Sequence, residues 1–425
     1  MILLYVILVV TIILLAWRIN HPGDLRLNRR YLARYLKDAL GRGPVRLQTT
    51  KLPVDRPTGA PEERAYYDIE AEFADESKRS VSVQIVYPLE ELHQEREQRN
   101  LPSNGEASMM PGLTEMQSSF DVGARLKEDP FKDLATEEKV TAAKAAMVNR
   151  EVDQLRTASV NGVVFPRLIA HDEQRLITIT ESVGKQRFDD VWQELDDAAR
   201  RSMLLQLLQD IAVFHGRSAD LAAILPPGPS HNERAMRESL YASLDNGLQL
   251  ATASIQQALS AAGPLYATAQ LEKGVRLANA SPRGYFVRDG RARSFNWADL
   301  RRDVSALDVI ELVCDPALGL SVEQEVESFT AYLDKLRENT DVDAETPTLV
   351  DLRRLAIYFQ LVLVGHLALF QRGPNAVNSK SPLDIKHWPA TSLSRVANKL
   401  LAHLQADDEL RALLDLLAPV LRSLV

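Results

Sequence analysis

The sequence predicts an α+β chain in which a strand-rich N-terminal part precedes a larger helical part, behind a first helix apolar enough to span a membrane. Three observations predict this. Residues 1–17 read MILLYVILVVTIILLAW, without a charge. Alternating apolar and polar residues recur at 65–73 and 80–88. Beyond Phe188 the apolar residues fall at helical spacing, interrupted once by a hairpin pattern.

At about 1.5 Å per residue the first segment makes roughly 25 Å of helix, near the short limit for a bilayer. It has neither a positive charge before its apolar run nor a small-residue cleavage site after it, so it is expected to stay attached. Arg18, Arg26, Arg29, Arg30, Arg34, Lys37, Arg42 and Arg46 follow, against Asp24 and Asp38. That excess places the C-terminal side in the cytoplasm, beneath a bacterial-type inner (plasma) membrane crossed once. From Leu25 to Leu40 a stripe of Leu27, Tyr31, Leu32, Tyr35 and Leu36 predicts a helix suited either to anionic headgroups or to its own domain.

The runs AYYDIEAEF and SVSVQIVYP read as a β-hairpin, and the polar stretch 90–111 as a helix end followed by a loop. A short strand, DVGARLK (121–127), precedes a helix from Glu137 to Ala158. VVFPRLIAHDEQRLITITES (163–182) reads as two strands turning at His171 to Glu173. One long helix is expected from Glu233 to about Ala262, and a hairpin around Asp289-Gly290 within YFVRDGRARSFNW (285–297). Residues 355–370 are very apolar but hold Gln360, Gly365 and His366, which favours a buried helix over a span.

The formal charge of −8 argues against broad nucleic-acid binding. With Cys314 as the one cysteine, no intramolecular disulfide and no multi-thiolate zinc site can form. No H-E-x-x-H and no G-x-S-x-G occurs, so metalloprotease and serine-hydrolase chemistry have no support. His215 is expected to be a core histidine.

The segment LANASPRGYFVRDGRARSFNWADL (277–300) resembles the catalytic region of the aminoglycoside-phosphotransferase-like kinases: H-G-D-x-x-P-x-N, a hydrophobic strand, a turn, then I-D-W. On that resemblance Asn279 stands where the family has its catalytic Asp, and Gly284 where it has its metal-binding Asn. Leu277 takes the place of the loop His, and Asn296 that of the Asp that would hold magnesium. Upstream, Lys127 and Glu151 resemble the pair that positions nucleotide phosphates. Residues 163–184 resemble the following two strands and the hinge, and LLQLLQDIAVFHG (204–216) the helix before the substrate region. The resemblance implies a bilobal protein-kinase-like fold. Its parts would be an anchor at 1–20, a basic juxtamembrane segment at 21–60, an N-lobe at 61–185 and a helical C-lobe at 186–425.

The same resemblance implies lost chemistry. Phosphoryl transfer needs an oriented nucleophile and cations that neutralise the transferring group. Asn279 can accept a hydrogen bond but is no general base. Asn296 with Gly284 offers one neutral carbonyl where magnesium wants hard anionic oxygens. No G-x-G-x-x-G lies between Ser103 and Gly123. The expectation is a pseudokinase that binds no metal, holds ATP at most without turnover, and serves as scaffold or regulator for a membrane-associated partner. Asp299 and Asp303 are either helix-start residues or substitute carboxylates. In the second case the chain would be an active small-molecule, sugar or lipid phosphotransferase at the membrane surface.

Overall fold

The computed structural model describes residues 29–53, 64–86, 137–161, 164–228, 231–277, 280–295, 297, 300–340, 346–372, 388 and 391–425. The expected membrane helix, the 90–111 loop and the 121–127 strand lie outside them, as do Lys127, Asn279, Asn296 and Asp299.

Helix α1 (Arg29–Leu40) is followed by β1 (Arg46–Lys51), β2 (Arg64–Glu72) and β3 (Lys78–Val86). After α2 (Glu137–Asn161) come β4 (Leu168–Asp172) and β5 (Ile177–Glu181). The five strands form one antiparallel sheet in the order β1-β2-β3-β5-β4. Because side chains alternate across a strand, Ile69, Val81, Val83, Ile85 and Ile179 share one face, and Leu32 and Leu36 of α1 close over it. The α1 stripe is thus spent on its own domain: Tyr31 and Tyr35 stack at 5.7 Å, and Tyr31 donates to Asp172. The opposite face is polar and buried, with Asp68, Ser82, Gln84, Thr178 and Thr180.

The sheet starts earlier than residue 61, where the sequence reading begins the N-lobe. β1 was not legible because its pattern RLQTTK buries only Leu47. It is an edge strand recruited by register with β2, Arg46 opposite Glu72.

A short β6 (Gln186–Arg187) leads into α3 (Phe188–Glu194), α4 (Asp197–Gly216), α5 (Ala219–Ile224), α6 (Glu233–Ala242) and α7 (Thr252–Ala261). The single helix expected over 233–262 is therefore broken. A π-helical turn, Ser243–Gly247, ends α6, and Gln249 beyond it has φ +55°. The break lets Ser243 reach the Leu361 carbonyl at 2.7 Å.

Strand β7 (Lys273–Arg276), the hairpin β8 (Tyr285–Arg288) and β9 (Arg291–Ser294), and β10 (Arg301–Val304) come next. Helices α8 (Ala306–Val313), α9 (Val322–Asn339), α10 (Leu349–Arg372), α11 (Ser392–Gln405) and α12 (Arg411–Ser423) complete the chain. A capping box between Ser321 and Gln324 starts α9. Among the described residues α10 is long and apolar enough to cross a membrane, but 89% of its apolar window is buried, and it serves as the core helix of the helical half.

A five-stranded sheet with one helix before its last two strands, followed by a helical lobe with an inserted hairpin, is the kinase-like arrangement that the resemblance implies.

Candidate interlobe site

Two short sheets position the region matched to the catalytic loop. β7 pairs antiparallel with β10, placing Arg276 opposite Arg301. β8 pairs with β9, placing Tyr285 opposite Ser294. The connection from Arg276 to Tyr285 and that from Ser294 to Arg301 therefore run between the same two sheet ends. Strand register alone sets their ends side by side.

Asp308, in the first turn of α8, fixes the start of the first connection. Its Oδ2 accepts the Leu277 N–H at 2.7 Å and faces His215 Nε2 at 3.1 Å; its Oδ1 faces Arg276 Nε at 3.4 Å. Tyr332 OH lies 2.9 Å from His215 Nδ1, so the histidine joins α4, α8 and α9 as the core residue expected of it. Arg276 is 1% exposed and also pairs with Glu311 and, at 3.6 Å, with Asp303. Burial foremost, together with Asp308, pushes the Glu311 carboxyl up to about 7, against the pull of Arg276.

The end of that connection is a tight turn, Pro282–Gly284, with Gly284 buried and its N–H donated to the Ser281 carbonyl at 2.8 Å. In the second connection Phe295 and Trp297 are buried edge to face at 4.9 Å, and Phe295 meets Tyr66 of β2 at 5.1 Å. This aromatic contact joins the sheet lobe to the loops. The segment between the lobes is equally close: Gly184, at φ +102°, passes so near the Val287 carbonyl that a Cβ would overlap it. Ser182 bonds Asp68, and Ser82 Oγ accepts the Val183 N–H at 3.1 Å.

On the sheet side, Glu151 of α2 is gripped by both arms of Arg64, at 2.7 and 2.5 Å, in a largely buried bidentate pair. Arg64 opens β2 directly opposite Val86 at the end of β3. A cation from the neighbouring strand thus meets the carboxylate that the sequence reading assigns to Lys127. Sequence reasoning missed Arg64, and also the Arg276, Asp308 and Glu311 cluster. The available signal was three charged residues, Asp303, Asp308 and Glu311, inside a run whose apolar spacing already marked it as buried.

Asp303 was expected as a helix-start residue or a substitute carboxylate. It lies instead in β10, 2% exposed, accepting the Val304 N–H at 2.9 Å. Strand pairing with Gly274 overrides the cap reading. Magnesium does not fit the described part of the site: Gly284 brings no side-chain ligand, and Asp303, Asp308 and Glu311 are engaged with Arg276. Among the described residues no group of three or more His, Cys, Asp or Glu is arranged to hold a metal ion.

No family model and no curated protein matches the sequence. Among solved structures, a choline/ethanolamine kinase family protein from Mesorhizobium loti is similar at 10% identity and TM-score 0.43, covering 87% of this chain and 92% of that one. The aminoglycoside phosphotransferase APH(2'')-Ib, ADP-bound, is similar at 9% identity and TM-score 0.41, covering 85% and 97%. A choline kinase from Cryptosporidium parvum is similar at 10% identity and TM-score 0.40, covering 97% and 99%. These likenesses are too loose to carry an argument of their own. The strand order, the helix before the last two strands and the paired connections make the fold of this chain kinase-like.

Proposed function

We propose that this chain is a kinase-like protein without phosphoryl transfer, held at a membrane by its first segment and working by binding, as scaffold or regulator of a membrane-associated partner. One observation carries the reading. Asp308 holds Leu277 at the head of a catalytic-loop connection, yet the sequence of the two connections supplies Asn279, Gly284 and Asn296 where phosphoryl transfer needs carboxylates. Amides and a glycine provide neither a general base nor the anionic oxygens that magnesium prefers. The framework is kept while the chemistry is removed, as expected of a site retained for shape. The Arg64–Glu151 pair supports a cleft able to hold a nucleotide as a structural ligand.

Full-length protein in detergent should unfold at a higher temperature with ATP, equally with and without magnesium, because a ligand of the native state stabilises it by mass action. No ATP hydrolysis should accompany the rise. Magnesium-dependent turnover lost in Asp299→Ala would replace this reading with an active phosphotransferase at the membrane surface. For the anchor, deletion of residues 1–20 should release the protein from the membrane fraction; continued membrane association would refute that part.

A further inference from the structure

We propose that the buried guanidinium of Arg301, with Nη1 of Arg276 beside it, forms a site for a small oxyanion of the phosphate class. Arg301 is 4% exposed, and none of its Nε, Nη1 and Nη2 atoms has a hydrogen-bond partner among the described residues. An unpaired cation taken out of water is among the most expensive groups a fold can carry. The nearby carboxylates act on it through space but give it no hydrogen bond. Asp303, Asp308 and Glu311 all turn to Arg276, and Asp308 also serves the Leu277 N–H and His215.

A guanidinium can only donate, so what Arg301 lacks is acceptors. Nη1 of Arg276, which faces Asp303 only at 3.6 Å, the Tyr285 hydroxyl and Nε2 of His231 are likewise buried without a hydrogen-bond partner among the described residues. Strand register sets Arg276 directly beside Arg301, and His231 joins the group through its backbone N–H, 3.4 Å from Asp303. A species rich in acceptors, with a geometry matching the planar guanidinium fork, answers that need, as a phosphate does. Gly228 packs against the Arg301 side chain: a Cβ there would stand 2.9 Å from Cδ of Arg301 and 3.2 Å from Cβ of Asp303. Glu311, its carboxyl pushed up to about 7 chiefly by burial, can take a proton as the anion enters, which lowers the negative charge the anion meets. The site is separate from the Arg64–Glu151 pair and does not rest on nucleotide binding.

Thermal unfolding of the full-length protein tests this, with inorganic phosphate and a phosphate monoester as separate arms against chloride at matched ionic strength. A saturable rise with either arm supports the site and names its source. A response to neither means buried water fills the place, and overturns the proposal. Arg301→Met, which keeps the length and drops the charge, should lose the phosphate response while keeping that to ATP. Retention of the phosphate response by that variant would overturn the assignment. Should it fail to fold, Gly228→Ala must weaken phosphate at least tenfold, and unchanged affinity counts against the site.

Discussion

The backbone N–H of Leu277 donates to Asp308 at 2.7 Å, so a carboxylate at the start of one helix holds the head of a loop thirty-one residues earlier. The same carboxylate faces Arg276 and His215, all three groups being almost wholly buried. Removing it leaves the Arg276 charge short of a partner and an amide without its acceptor. Breaking a buried pair in this way costs about 3–5 kcal/mol. Asp308→Ala should lose stability of that order in urea unfolding, and a loss below about 1 kcal/mol, the net worth of one ordinary hydrogen bond, would mean the loop is held elsewhere.

Arg64 and Glu151 offer a test that separates architecture from ligand recognition. Exchanging them, Arg64→Glu with Glu151→Arg, keeps an ion pair between β2 and α2 but moves the positive end onto the helix. Each single change should lower stability more than the exchange does, the signature of direct coupling. The ATP-dependent rise in unfolding temperature should vanish in all three variants. If the exchanged protein still responds to ATP, the cation on β2 does not read the nucleotide.

Much of the order of elements was legible, because the hairpin at 285–297 and the alternation in β2 and β3 follow from local chemistry. What stayed hidden was set by pairing across the chain. β1 has little pattern of its own and takes its place from β2. Asp303 looks like a helix cap until its strand pairs with β7. The Arg64–Glu151 contact joins residues eighty-seven positions apart, and no spacing rule points from one to the other. The break after α6 was readable in part from Asp245-Asn246-Gly247, a turn-forming run inside an otherwise helical stretch.

Asp315 makes the fold sensitive to pH. It is buried, accepts the Ala317 N–H at 2.8 Å, and burial foremost pushes its carboxyl up to about 7, with Asp189 adding to the rise. A carboxyl whose folded value lies above its unfolded value binds its proton more tightly in the native state. Stability therefore falls as pH rises from the unfolded carboxyl range to about 7, and is level beyond. Asp315→Asn removes this penalty. Relative to wild type, the variant should gain stability as pH goes from 4 to 7, by an amount on the order of a few kcal/mol, since a tenfold difference in proton affinity between the folded and unfolded chain is worth about 1.4 kcal/mol. His231 and His366, both pulled down to about 4 by burial, act in the opposite sense in both proteins and cancel in the comparison. A difference that does not vary with pH would refute the role given to Asp315.

Gly365 of α10 makes a close crossing with the π-helical turn at 243–247. A Cβ on Gly365 would overlap Ser243 Oγ and stand 2.8 Å from Ser243 Cα, and one on Gly247 would run into the Gly365 backbone. Both glycines are required by this approach, because helix backbones so close leave no room for a methyl group. Gly365→Ala should cost about 1–3 kcal/mol, the usual range for overpacking, or more if the turn cannot move aside. Ser243→Ala removes the nearest of the three obstructing Ser243 atoms, Oγ, but also the bond to the Leu361 carbonyl. The double variant should therefore be more stable than the sum of the single losses predicts, yet well short of wild type, because the overlaps with Cα and Cβ of residue 243 persist. Denaturant midpoints for the four proteins give this coupling directly. Strict additivity would mean that Gly365 and Ser243 do not touch.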